Sequence, residues 1–339
     1  MSQIELGPMA TAVHIDEARM HRERLARARA ALRRHGLAAA LLFDPINVRY
    51  VGVPGAFAVF NLHVTFRWAL VPVESEPVLW EYPEVLHVTA GRWSGDVRPA
   101  IAWTFFGSGL NTTTDARRFA TEIAAVLNER GLLSEQIGVD RLETVGYLAL
   151  AQAGVRVVDA QPALEQARAV KTLDELAVLR ANARACDAAI AQLRAGLRPG
   201  VTENELWGTF IGAALKSGAE WCETRLLSSG PRTNPWMQEA TNRVVNDGEL
   251  VGFDTDLVGE RGYLTDISRI YLIAPRQTSS AGCTRSPTPT CTRSSLSFGP
   301  APHSRNSVAS SGRGCPTSSK RCAIRSSPTA REWSTSIPA

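Results

Sequence analysis

The chain has 339 residues, 44% hydrophobic and 21% charged, a globular balance that excludes disorder throughout and leaves room for about two domains. Its +4 net charge comes from one stretch: residues 276–339 hold nine basic residues against one acidic, a net of +8, which leaves the first 275 at −4. That acidic body has no basic stripe interleaved with aromatics, which excludes nucleic acid as a partner, and the lack of a charged start or an 18-residue apolar stretch argues against secretion and membrane spanning.

Residues 15–34 are rich in Ala, Arg, Glu and Leu and stop at Gly36, which predicts a helix. The run Ala38-Ala-Ala-Leu-Leu-Phe43, halted by Asp44-Pro45, predicts a buried strand. Strands near 68–73 and 77–82, a helix over 115–130, and strands over 137–140 and 155–159 continue the alternation. An α/β domain over residues 1–170 is therefore expected.

A second unit begins at Lys171. Thr172 with Glu175 is a capping box that opens a helix to Gly196, and Thr202 with Glu205 opens another that ends before Gly218. Residues 223–236 mix a short strand with Gly and Pro. A strand over 249–258, a turn at 259–262 and a strand over 263–273 predict a hairpin. Two helices on one antiparallel sheet make residues 171–275 an α+β unit, and the chain as a whole is α+β.

Residues 276–339 break the pattern. Ser, Thr and Pro supply 31 of the 64, with no helical or strand period, so this segment is expected to be disordered. Back-translated with GC-rich codons and read two nucleotides out of register, 282–300 becomes a sequence of the type LHALAYTHVHAIIALIRPG and 320–338 one of the type AMRYTLIAHGAGVVDEYP. Two separated stretches turning protein-like in one frame predict a tail out of frame from about Pro275. The four cysteines of this stretch match no zinc-ribbon spacing, whereas Cys186 and Cys222, the two before it, suit a reducing, cytoplasmic setting.

The chemistry lies between Gly252 and Arg269. Asp254 and Asp256, two apart on a strand, project from one face, and the hairpin brings Asp266 opposite them. Two carboxylates about 4 Å apart repel by roughly 4 kcal/mol at an effective dielectric of about 20, so three ask for a cation or a raised pKa. Hard divalent metals or iron, held by oxygen, supply that charge. A lone hairpin Asp is ordinarily a water-facing edge residue. Flanked by Phe253 and Leu257 in an apolar strand, this pair is better explained as ligands. Arg225, Arg232 and Trp236 sit in a Gly/Pro-rich loop fit to line a pocket, Arg for a carboxylate and Trp for a sulfonium or ammonium group. Trp236 as a plain core anchor is the alternative.

The hairpin with its Asp266-Ile-Ser-Arg269 end, the block Gly218–Trp236 and Phe43-Asp-Pro-Ile-Asn-Val-Arg-Tyr50 together resemble the pita-bread metalloenzymes, the family of methionine aminopeptidase, prolidase, aminopeptidase P and creatinase. The resemblance covers residues 20–275. In the peptidases the two metal-binding aspartates lie eleven apart. Here Asp254 is twelve and Asp256 ten residues before Asp266, and this Phe-Asp-Thr-Asp form resembles the dimethylsulfoniopropionate lyase branch.

The resemblance implies a creatinase-like N-terminal α/β domain followed by an incomplete pita-bread domain. It also implies a divalent metal (iron, manganese, cobalt or zinc) at Asp254, Asp256 and Asp266, a small-molecule or dipeptide-like substrate, and a homodimer. The family's later ligands, a His before Gly and two Glu, have no counterpart here, since only His303 and Glu332 represent those types after Asp266. Catalytic residues are expected in that lost part, so the chain as written is expected to be inactive and its metal binding weakened. Three functions stay open: an Xaa-Pro hydrolase, a lyase yielding dimethyl sulfide and acrylate, and a non-catalytic remnant.

Overall fold

The computed structural model describes residues 15–52, 58–89 and 93–273, which form one compact unit. The expectations for residues 276–339, disorder and a shifted frame, lie outside the described residues. Helix α1 (Glu17–Arg34) starts where the Asp16 carboxylate accepts from the Arg19 N–H and stops before Gly36, whose φ of +68° is left-handed. Strand β1 (Ala39–Leu42) follows. Asp44-Pro45, expected only as a stop, also starts helix α2 (Pro45–Val51): Asp44 accepts from the Ile46 N–H, and Pro occupies the first turn, where a missing donor costs nothing.

The first half continues through α3 (Ala58–His63), β2 (Trp68–Pro72), β3 (Val78–Glu81), α4 (Leu86–Thr89) and β4 (Asp96–Pro99). Then come α5 (Phe105–Ser108), α6 (Thr112–Glu129), β5 (Gln136–Val139), α7 (Thr144–Gln152), β6 (Arg156–Asp159) and α8 (Gln161–Ala169). Sequence pattern alone missed α7, whose apolar residues spread around the helix, and β4, which is partly exposed at the sheet edge.

The six strands lie in the order β4-β3-β2-β1-β5-β6. Central β1 pairs antiparallel with β2 and parallel with β5. Its Ala39 and Leu41 enter a cluster with Trp68, Trp103 and Phe119, whereas Ala40 and Leu42 face Leu25, Ala28 and Leu32 of α1 and Leu164 of α8. A strand covered on both faces reads as an unbroken apolar run, the signal at 38–43.

Both predicted capping boxes form, opening α9 (Leu173–Gly196) and α10 (Glu203–Lys216). The remaining strands are β7 (Trp221–Cys222), β8 (Leu227–Ser229), β9 (Leu250–Phe253), β10 (Leu257–Val258), β11 (Leu264–Thr265) and β12 (Arg269–Leu272). The predicted hairpin holds one register, from Leu250 opposite Leu272 to Val258 opposite Leu264. It does not lie in a single sheet as expected. Its outer arms join β8 in the order β12-β9-β8, and its tip joins β7 in the order β11-β10-β7. The break falls between β9 and β10, where Asp256 adopts a φ of +37°. Cys186 and Leu193 of α9 and Leu206 and Phe210 of α10 pack against Val251, Phe253 and Leu257, so the helices support both sheets.

Candidate metal centre

The bend assembles the aspartates. Asp254 follows β9, Asp256 precedes β10, and Asp266 lies between β11 and β12. One carboxylate oxygen from each lies within 4.8 Å of the others, the only such acidic, His or Cys cluster among the described residues. Fully buried Thr255 holds the two arms together: its hydroxyl donates to the Thr265 carbonyl at 2.7 Å and accepts from the Ile267 N–H at 2.9 Å. A side chain thus replaces ladder bonds where the strands part.

The Thr255 N–H donates to the Asp254 carboxylate at 3.0 Å, and the Thr224 hydroxyl donates to the Asp256 carboxylate. Backbone bonds from Asp254 to the Leu226 carbonyl at 2.9 Å and from Glu223 to the Asp256 carbonyl at 3.0 Å fix the positions further. A shared hydrogen bond with Asp254, then burial, then the charges of Asp254 and Asp256 push the Asp266 carboxyl up to about 6. An all-oxygen donor set this close fits a hard divalent cation, so Asp254, Asp256 and Asp266 would hold one.

The other predicted residues are arranged differently. Arg225 pairs with Glu239 at 3.1 Å on the surface, and Arg232 reaches Glu203. The half-buried Trp236 ring lies over Gly252, where an added Cβ would sit 2.6 Å from it. Gly252 precedes Asp254 by two residues on the same arm, so Trp236 lies beside the aspartate strand while both arginines are committed to glutamates.

Sequence reasoning missed Glu203. Its fully buried carboxylate accepts from the N–H and hydroxyl of Ser229, both at 2.8 Å. It also accepts from the N–H of Thr241 at 3.0 Å, from the Thr241 hydroxyl at 2.7 Å and from Arg232. Burial raises its pKa, but the Thr241, Ser229 and Arg232 donors outweigh that and hold it below the usual value. In sequence it looks like any acid in a first helical turn. Thr255 likewise gave no signal of its bridging role. Replacing it with Val keeps the shape and strands the Thr265 carbonyl and Ile267 N–H, a loss of about 1–3 kcal/mol expected as a lower urea midpoint.

Residues 24–170 match the Creatinase/Prolidase N-terminal domain, and residues 177–282 match Metallopeptidase family M24. The chain is 33% identical over 292 residues to dimethylsulfoniopropionate lyase DddP of Roseobacter denitrificans, covering 82% of this chain and 65% of the relative. It is 31% identical to the lyase of the same name from Roseovarius nubinhibens, covering 80% of this chain and 63% of the relative. The chain thus spans under two thirds of either relative's length. Among solved structures, an Xaa-Pro dipeptidase from Bacillus anthracis superposes with a TM-score of 0.60 at 22% identity, covering 75% of this chain and 65% of that one. Dipeptidase PepE from Mycobacterium ulcerans gives 0.58 at 24% identity, covering 76% and 66%. The chain belongs to the pita-bread metalloenzyme family, near its dimethylsulfoniopropionate lyase branch, and the expected creatinase-like and pita-bread architecture is borne out.

Proposed function

We propose that residues 171–275 carry the aspartate half of a divalent-metal centre from a lyase that splits dimethylsulfoniopropionate into dimethyl sulfide and acrylate, with residues 1–170 as its N-terminal domain. The convergence of Asp254, Asp256 and Asp266 carries this reading, and relatives at 33% and 31% identity named as that lyase support the reaction. In that reaction a base takes the proton α to the carboxylate, the freed pair forms the C=C bond, and the C–S pair leaves with sulfur. The metal, iron or manganese by donor chemistry, supplies a Lewis acid to anchor the substrate carboxylate. Asp254, Asp256 and Asp266 hold that cation in place. The Trp236 ring beside the aspartate strand suits the sulfonium charge.

The family's later His and two Glu have no counterpart after Asp266, which favours a second reading, a non-catalytic chain as written with weakened metal binding. Xaa-Pro hydrolysis, named for the Bacillus anthracis structure, is the remaining alternative. No helix among the described residues is long and apolar enough to cross a membrane. Free Cys186 and Cys222 support a cytoplasmic setting. The exposed Phe105, Phe106 and Leu110 offer apolar surface that a homodimer would cover.

The test compares the 339-residue chain with a form whose reading frame is restored after about Pro275, each loaded with iron or manganese. The restored form is expected to release dimethyl sulfide and the 339-residue chain to release none. Proline release from an Xaa-Pro dipeptide instead would move the assignment to the peptidases, and turnover of neither substrate would overturn both. The coding DNA is expected to show a one- or two-nucleotide indel near codons 274–277. Stops throughout the alternative frames would refute the shift.

A further inference from the structure

The tip of the aspartate hairpin is weakly supported by its own strands, because β10 and β11 contribute only two register pairs before residues 259–263. A cavity of about 380 Å³ opens beside it, lined by Arg24, Tyr50, Trp221 and Tyr263 among others. Polar links therefore hold the tip where close packing does not. The Tyr263 hydroxyl donates to the Glu175 carboxylate at 2.6 Å and accepts from the Arg24 guanidinium. Arg24 Nε lies 3.4 Å from the same carboxylate, and Arg24 and Glu175 are only 7% and 1% exposed. The guanidinium also lies 5.2 Å from the centre of the Tyr263 ring and 5.7 Å from that of Tyr50.

Glu175 is itself fixed by the α9 capping box, where it accepts from the Thr172 N–H at 2.6 Å. On the other side of the tip, Asn182 accepts from the Glu260 N–H at 3.1 Å and donates to its carbonyl at 3.0 Å. Arg261 pairs with Glu17 at the start of α1. Helices α1 and α9 thus grip the tip three residues before Asp266 and a few residues after Asp256.

Resting on the metal-centre reading above, we propose that Arg24, Glu175 and Tyr263 are positioning residues, a clamp through which the N-terminal half sets the spacing of Asp256 and Asp266. Movement at Tyr263 passes along β11 to Asp266 and across the ladder to β10 and Asp256. The aspartate cluster is therefore tuned from helix α1, outside the metallopeptidase-matching residues.

The test titrates Co²⁺ into the whole 339-residue chain and follows affinity and the visible absorption band, which reports the metal's coordination. Tyr263→Phe keeps the ring and removes the clamping hydroxyl, so it is expected to weaken Co²⁺ binding about tenfold and alter the band. Asp174→Asn breaks the Arg19–Asp174 pair at 2.7 Å, another α1–α9 contact, which does not involve the hairpin. It is expected to lower the thermal midpoint and leave affinity and band unchanged. Equal affinity and band in Tyr263→Phe and the unaltered chain would overturn the clamp, as would equal weakening by Asp174→Asn. If the unaltered chain binds no Co²⁺, the metal-centre reading itself fails.

Discussion

Glu203→Ala is expected to destabilise the second half of the chain by about 2–4 kcal/mol, because removing the buried carboxylate leaves the partly exposed Arg232 and several donors without their acceptor. Five bonds converge on that carboxylate, from Ser229, Thr241 and Arg232, and Ala satisfies none of them. The loss falls on the loop carrying Trp236 and on the first turn of α10. Urea unfolding followed by tryptophan fluorescence measures it, and a change below about 1 kcal/mol would show that the network adds little. The pH dependence has a definite sign. The folded pKa of Glu203 lies below its ordinary 4.5, so its contribution is complete above that value and is lost as pH falls through the folded pKa. In Glu203→Ala this part of the acid sensitivity is expected to vanish.

Asp266→Asn is expected to move metal binding and apo stability in opposite directions. It removes one of the three proposed ligands, so Mn²⁺ or Co²⁺ affinity should fall by at least about 100-fold, beyond the effect of losing an outer partner. Without metal, the hydrogen bond shared with Asp254, then burial, then the charges of Asp254 and Asp256 disfavour the ionised Asp266 and raise its pKa to about 6. Asn has no charge and can still hydrogen-bond Asp254, so the apo chain should gain stability at pH 7, by about 1 kcal/mol or less at this exposed position. The sign follows from the raised pKa: the crowding costs stability above about pH 6 and fades below it. Thermal midpoints at pH 5 and pH 7 with and without metal separate the effects. A less stable apo variant at pH 7 would show that the acids do not strain one another.

Much of the architecture was legible because its causes are local. Capping boxes at Thr172 and Thr202 operate between residues three apart, Gly36 supplies a left-handed stop, and the apolar run at 38–43 marks a strand covered on both faces. The aspartate hairpin was legible because turn spacing places Asp266 opposite the Asp254–Asp256 arm. Strand alternation is not what brings the carboxylates together, since Asp254 and Asp256 lie in the bend between β9 and β10 and Asp256 has a φ of +37°. Arg225 and Arg232 show where such reasoning stops: residue type suggested anion binding, whereas their observed partners are Glu239 and Glu203.

The amino-acid sequence by itself thus determined the order of the main elements and a hairpin on which three carboxylates meet, while the observed register, with Val258 opposite Leu264, is one residue off the one a turn over 259–262 implies. Only the tertiary structure decided that the hairpin bends between two sheets, that Thr255 bridges the bend, that Glu203 is buried, and that Tyr263 is gripped from α1. The physical reason is range. Caps and periods depend on neighbours a few residues away, whereas Glu203 finds acceptor roles 26 and 38 residues on, and Tyr263 finds partners 88 and 239 residues away. A lone polar side chain carries no mark of such a partner, because burial and pairing are created together when the chain closes on itself.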